Sequence, residues 1–251
     1  MRAMLHILRE VDEDLLILSF NRPEKMNALT RAMYSDLASA LNEAAGDFAI
    51  RAVILTSQGH HFTAGNDIAD FMANPPTDGD AEVAHFLAAL LNFPKPLIAA
   101  VKGNAIGIGT TMLLHCDVVI CDESAQFSMP FASLGLVPEA GSSYLFPLLV
   151  GYQRAARIFM TGETFDAHEA HAMGLVATVA SDARASALTI ARHIAKQPPQ
   201  AIINTKALLK ASKHGAVEAV MKAEFALFSL ALQSDEAMAA FMSFMSKKGE
   251  K

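Results

Sequence analysis

Residues 94–121 read PKPLIAAVKGNAIGIGTTMLLHCDVVIC. After the Pro-Lys-Pro break, Leu97–Val101 is an uninterrupted apolar run, the pattern of a strand buried on both faces. Lys102–Gly109 (KGNAIGIG) is a glycine-punctuated turn, Thr110–His115 a helix, and Asp117–Cys121 a second buried strand. Strand, turn, helix and strand in direct succession is the pattern of an α/β chain with a parallel sheet.

The same alternation extends outward. Leu5–Arg9 and Leu15–Phe20 are strand-like and separated by Asp12–Asp14. Asn21-Arg22-Pro23 breaks the second run, and Thr30 is placed to cap a helix over Arg31–Ala45 that stops at Gly46. Arg51–Ser57 (RAVILTS) is a buried strand, followed by a loop and a short helix near Asp67–Met72. Asn74–Gly79 is a proline-marked surface connection, and Ala81–Asn92 a helix ended by Phe93-Pro94. Downstream come helices at Gln153–Met160, Ala167–Met173 and Ala183–Lys196, with a short strand at Val176–Val179. Beyond Pro198-Pro199 three helical stretches run to the end. The reading is one unit: a core over 1–197 and a helical region over 198–251.

Ser124–Gln153 (SAQFSMPFASLGLVPEAGSSYLFPLLVGYQ) carries one charge, Glu139. A carboxylate in such company loses hydration, which raises its pKa toward a value useful for proton transfer. Glu139 follows Pro138 and precedes a helical pattern, so it is also placed to sit at a helix start. Taken alone, a first-turn cap or a pairing with a distant arginine explains it somewhat better, since helix-start acids are common.

Two loops supply what a proton-transfer base needs. Phe62-Thr63-Ala64-Gly65-Asn66-Asp67 and Gly103–Gly109 each follow a strand, turn on glycine and lead into a helix. Small residues admit a ligand close to the backbone, and free N–H groups at two helix starts form an anion site, or an oxyanion hole if they converge.

Composition narrows the classes. The chain has 251 residues, is 52% hydrophobic and 18% charged, and carries a net charge of −6. Disorder and a basic nucleic-acid footprint are both excluded on these grounds. Cys116 and Cys121 match no disulfide framework or metal motif and read as core thiols in a reducing compartment. Neither a signal peptide nor a bilayer-spanning run is present, and the ending SKKGEK is not a peroxisomal address. The expected location is cytoplasmic, with no membrane or nucleic-acid partner. Gly107-x-Gly109 lacks the third glycine of a dinucleotide fingerprint, Ser142 and Ser143 sit in no nucleophile elbow, and His168-Glu169-Ala170-His171 lacks a zinc spacing. No metal site is expected.

Four segments together resemble the enoyl-CoA hydratase/isomerase family, the crotonases. They are Asn21–Leu29 (NRPEKMNAL), Phe62–Phe71 (FTAGNDIADF), Pro94–Asp117 and Ala125–Leu149, and Gly162–Val179 adds to them. The resemblance implies a spiral of ββα units with C-terminal helices that help form a homotrimer, often paired into a hexamer. It implies an acyl-CoA substrate, with no separate cofactor because coenzyme A is part of that substrate. Matched by position, the oxyanion-hole amides belong to Asn66 and Ile108. Ala64, Asp67 and Ile68 fall in the coenzyme A loop, and Lys25 and Ala28 in the segment bordering the nucleotide and pantetheine; Lys25 reads equally as a solvated lysine.

Hydratases of the family place two glutamates around a water. The matching positions here are Thr111 and Phe131, neither of which is a carboxylate. Glu139 instead matches the catalytic glutamate of the 3,2-enoyl-CoA isomerase branch, which the wording Gly65-Asn66-Asp67 and Ser142–Pro147 also resembles. The reaction so implied moves a double bond from 3-enoyl-CoA to 2-trans-enoyl-CoA, in the degradation of fatty or related acids. An atypical hydratase and a non-catalytic acyl-CoA binder stay open as alternatives.

Overall fold

The computed structural model describes residues 6–76 and 81–249. In chain order its elements are β1 (Ile7–Asp12), β2 (Leu15–Phe20), α1 (Arg31–Gly46), β3 (Ala52–Ser57), α2 (Ile68–Ala73) and α3 (Glu82–Asn92). Next are β4 (Leu97–Val101), β5 (Asn104–Ile106), α4 (Ile108–Thr111), β6 (Val118–Cys121), β7 (Gln126–Ser128), α5 (Ser142–Val150) and α6 (Tyr152–Thr161). The remainder are β8 (Phe165–Asp166), α7 (Ala167–Ala172), β9 (Thr178–Val179), α8 (Ala183–Ala195), α9 (Pro199–Ala211), α10 (His214–Leu232) and α11 (Asp235–Gly249). Thr77–Gly79 of the expected surface connection, and Leu5 of the first expected strand, lie outside the described residues.

The larger sheet runs β1-β2-β3-β4-β6-β9, parallel from β2 onward, with β1 antiparallel at its edge. A smaller sheet, β5-β7-β8, lies beside it. Two single parallel bridges, Leu29–Asn66 and Thr63–Ala105, continue the smaller layer back to earlier turns of the chain. Each circuit therefore places one long strand in the large sheet, a short extended segment in the small layer, and then a helix. This is the expected spiral of ββα units.

Strand alternation assigns the faces. Leu15, Ile17, Ala52, Ile54, Ile98 and Ala100 point to one side of the large sheet, where α8 covers them. That helix presents Ala183, Ala187, Ala191 and Ala195, four apart on one face, so its backbone lies close to the strands. The opposite side, with Leu16, Leu18, Phe20, Val53 and Leu55, joins the main core with α1 and α3.

The structure corrects the sequence reading at three places. Residues 102–109 are not only a turn: they contain β5, and the helix begins at Ile108 rather than Thr110, tightening to a 3-10 form over Met112–His115. The small-sheet strands are two or three residues long and carry no local period, because their pairing partners rather than their own pattern hold them. Glu139 is not in a helix's first turn; α5 starts at Ser142 with Gly141 before it and no acidic residue in that turn.

The C-terminal helices are tied in by a buried charge. Lys206 of α9 donates to the Lys95 carbonyl at 2.6 Å and to Asp117 Oδ2 at 2.7 Å, and its ammonium lies 5.3 Å from the centre of the Phe93 ring. Breaking a buried pair strands its partner. Lys206→Ala is therefore expected to lower unfolding free energy by about 3 kcal/mol in a denaturant titration. Arg184→Ala, which breaks the exposed Arg184–Glu10 pair, is expected to change it by less than about 1 kcal/mol.

Candidate active site

The two glycine loops run side by side. Phe62 N–H donates to Lys102 O (2.8 Å), Thr63 N–H to Asn104 O (2.9 Å) and Ile106 N–H to Thr63 O (3.0 Å). Gly65 and Gly109 make the approach possible: a Cβ at Gly65 would lie 2.8 Å from the Ile106 carbonyl oxygen, and one at Gly109 2.5 Å from Thr63 Cγ2. Among the described residues, neither the Asn66 nor the Ile108 main-chain N–H meets an acceptor. Ile108 is buried at the first position of α4, where helix geometry leaves its N–H without an internal partner.

Glu139 lines an apolar cavity of about 350 Å³. Asn66 lines the same cavity, as do Leu87 and Leu91 of α3 and Met221, Phe225 and Phe228 of α10. Ile108 is not among the lining residues but precedes, in the same helix, the side chain that holds Glu139. That side chain is Thr111, whose hydroxyl donates to Glu139 Oε1 at 2.5 Å. Glu139 is 9% exposed. Burial pushes its carboxyl up to about 8; the Thr111 bond works downward and the nearby Glu224 charge upward. A larger cavity of about 500 Å³ shares Phe71, Pro76 and Val83 with the first, but its carboxylates, Asp70 and Glu82, are engaged at the edge of helix α1 and its Arg31. The smaller cavity is the one with a buried base.

The other expected binding residues form one contiguous patch. Leu29 N–H donates to Gly65 O, Asp67 N–H to Leu29 O, and Ala64 N–H to Met26 O. Lys25 is exposed in a single 3-10 turn, Ala28 is nearly buried, and Ala64 and Ile68 are half-buried. The Asp67 side chain holds structure together: it caps α2 through the Ala69 and Asp70 amides and pairs with Arg22 at 2.6 Å. Burial acts upward on this carboxyl, but the Arg22 hydrogen bond and the two amides outweigh it and hold it below the usual range.

Several organising residues went unread in the sequence. Asn27, itself left-handed (φ 56), bridges the Gln58 and His61 carbonyls and accepts from Arg22 N–H. The buried Tyr34 hydroxyl donates to Asn66 Oδ1. His115 donates from Nε2 to the Ala140 carbonyl at 2.7 Å. Glu224 accepts from Gly141 and Ser143 N–H at 2.6 and 2.9 Å. A glutamate within the apolar run of α10 was a legible signal; Tyr34 and His115 gave none, because only tertiary contact gives them partners.

The Enoyl-CoA hydratase/isomerase family model matches residues 10–250. Enoyl-CoA delta isomerase 2 of Rattus norvegicus is 34% identical over 92% of this chain, which spans 61% of that protein's length. The 2,3-dehydroadipyl-CoA hydratase of Escherichia coli (strain K12) is 32% identical over 98% of this chain and 97% of its own. The solved structure of OdaA from Pseudomonas aeruginosa superposes with a TM-score of 0.94 at 44% identity, covering 96% of this chain and 98% of that one. Among the described residues no helix is long and apolar enough to cross a membrane.

The Glu139 pKa has a consequence for stability. Below the ordinary carboxyl value of 4.5, folded and unfolded chains are both protonated there and nothing is lost. Between 4.5 and about 8 the unfolded chain releases a proton that the folded chain retains. Native stability should fall across that window relative to Glu139→Gln, by up to about 1.4 kcal/mol per pH unit, and level off above it. Parallel denaturant titrations of the two proteins check this; a constant difference would mean an ordinary carboxyl.

Proposed function

The chain belongs to the enoyl-CoA hydratase/isomerase family, and within it we propose that it moves the double bond of a 3-enoyl-CoA to the 2-trans position. The observation that carries this reading is that, among the described residues, one buried carboxylate, Glu139, lines the cavity, while Thr111 and Phe131 hold no second one. Glu218 also lines the cavity, but it is exposed and paired with Lys222 at 2.8 Å. Addition of water across a double bond is best served by two groups, one to activate the water and one to deliver a proton. A 1,3-proton shift needs only one base that takes a proton from C2 and returns it to C4.

The site fits the steps of that shift. Glu139 with a pKa of about 8 is basic enough to remove an acidified α-proton and, once protonated, acidic enough to return it. Removing the proton puts negative charge on the thioester oxygen as a dienolate. The unengaged Asn66 and Ile108 amides are the donors that would receive it, each worth roughly 100- to 1,000-fold. The apolar walls from α3 and α10 accept the acyl chain and exclude water. The Lys25, Ala28, Ala64, Asp67 and Ile68 patch borders the coenzyme A portion. Thr111 steadies the anionic form of Glu139 and fixes its aim.

Exposed apolar side chains on the C-terminal helices, Leu208, Leu209, Leu227 and Leu230, support a homotrimer or a pair of trimers. Light scattering should then give three or six times the 26.8 kDa chain mass. For the activity, one preparation is assayed with 3-enoyl-CoA and with 2-enoyl-CoA. Double-bond migration from the first, without loss of enoyl absorbance from the second, is the expected result. Hydration of the second substrate would favour the hydratase reading, and tight binding without turnover the non-catalytic one. Glu139→Gln should keep acyl-CoA binding and lose about 100- to 10,000-fold in turnover. The limb of kcat/KM that rises with pH should lie near 8 in the native protein and move upward in Thr111→Val, which loses a bond to the anion.

A further inference from the structure

The backbone after Glu139 is bent in an unusual way. Ala140 has φ +61 and Gly141 φ +71, so two successive residues are left-handed, one of them not glycine. An alanine in this region costs roughly 1–2 kcal/mol, and such a conformation persists only where the surroundings impose it. Here the impositions come from distant parts of the chain.

His115, in the 3-10 turn after α4, is 2% exposed and reaches the Ala140 carbonyl with Nε2. A carbonyl oxygen only accepts, so Nε2 carries the proton. Burial, with the Lys210 and Lys206 charges adding to it, lowers this ring to about 4 against the raising effect of the Ala140 bond, so it stays neutral. On the other side, Glu224 of α10 holds both Gly141 N–H and Ser143 N–H. Helix α5 has no side-chain cap of its own. The amides at its start are met instead by a carboxylate 83 residues away from Gly141, 6% exposed. The carbonyl of Ala140 and the amide of Gly141 belong to one peptide unit, so His115 and Glu224 grip it from opposite ends. A gripped peptide plane one residue after Glu139, together with the left-handed Ala140, restricts the backbone from which the Glu139 side chain departs.

We propose that His115 and Glu224 are positioning residues that lock the Ala140–Gly141 peptide and thereby hold the Glu139 carboxylate toward the cavity. This rests on Glu139 being the base. Neither residue touches the cavity's reacting end; both act through Glu139. Glu224 acts in a second way, because its charge raises the Glu139 pKa. Glu224 from α10 and Tyr34 from α1 act electrostatically with Glu139, Thr111 is its direct hydrogen-bond partner, His115 holds the next residue's carbonyl, and Glu218 and Lys222 of α10 line the same cavity as an ion pair. Because α10 also supplies the cavity wall, the helix that contacts the acyl chain is the one that holds the base.

The test compares native protein with His115→Leu, His115→Gln and Glu224→Gln, each checked for folding by circular dichroism. Two quantities are read. The first is the Glu139 carboxyl midpoint, from infrared difference spectra against Glu139→Gln as pH is varied, with no substrate present. The second is kcat for 3-enoyl-CoA beside the Kd for octanoyl-CoA. Glu224→Gln should move the midpoint down from about 8, since a neighbouring negative charge is removed. His115→Leu should lower kcat by at least about 10-fold with little change in Kd. His115→Gln, whose amide can reach the same carbonyl, should recover most of it. An unmoved midpoint with unchanged kcat overturns the proposal, as does equal loss of kcat and binding in folded variants. If Glu224→Gln unfolds, His115→Leu with its glutamine rescue decides the case. If the native protein does not isomerise at all, the functional reading fails, while the infrared arm still decides whether these residues set the state of Glu139.

Discussion

Residues 62–67 and 103–109 run beside one another at main-chain hydrogen-bonding distance, and the site is built outward from that contact. Two hydrogen bonds join the two segments and a third ties Phe62 to Lys102 just before the second segment, and the space between them is too narrow for a side chain at Gly65 or Gly109. The amides that follow are used elsewhere, Ala64 on the Met26 carbonyl, Gly65 on Thr63 Oγ1 and Gly107 on the Ser128 carbonyl, and Asn66 and Ile108 are left over. Widening the gap by one Cβ would separate those amides and also carry away α4, which bears Thr111.

The same contact explains how a carboxylate is kept in an apolar place. Glu139 arrives on a segment with no other charge, and burial alone would favour its protonated form strongly. Thr111 offsets part of this by donating to the anion, and Glu224 adds to it by repulsion. The result near 8 lies close to neutrality from above, the condition under which a single group can both take and return a proton. Tyr34 makes the complementary arrangement on the other side: its buried hydroxyl, raised well above its usual value by burial and then by Glu139, stays protonated and anchors the Asn66 side chain.

Away from the reacting end, polar side chains act as ties rather than ligands. Arg22 and Asp67 bind one another across 45 residues, and Asn27 fastens its own turn to two neighbouring carbonyls. Lys95 donates to the Ala44 and Asp47 carbonyls at the end of α1, and Lys206 joins α9 to the strand layer. These contacts hold the turns of the spiral in register where the apolar core does not reach.

Much of the large sheet was legible because its strands are continuous apolar runs with clear breaks. β2 and β4 coincide with their apolar runs to the residue, and β3 and β6 to within one. The isolation of Glu139 was legible in the sequence, but a capping role explained it as well there; the fold decided that it is buried and its pKa raised. The small sheet was not legible: segments of two or three residues have no period, and only neighbours from other circuits make them strands. Nor could the sequence say that Asn66 and Glu139 face one cavity, that Thr111 donates to the base, or that His115 and Glu224 converge on one peptide from sites 25 and 83 residues away. Local pattern determines which residues must be buried; which buried groups become partners is decided by how the circuits stack, because hydrogen bonds and charges act over distances that chain separation does not measure.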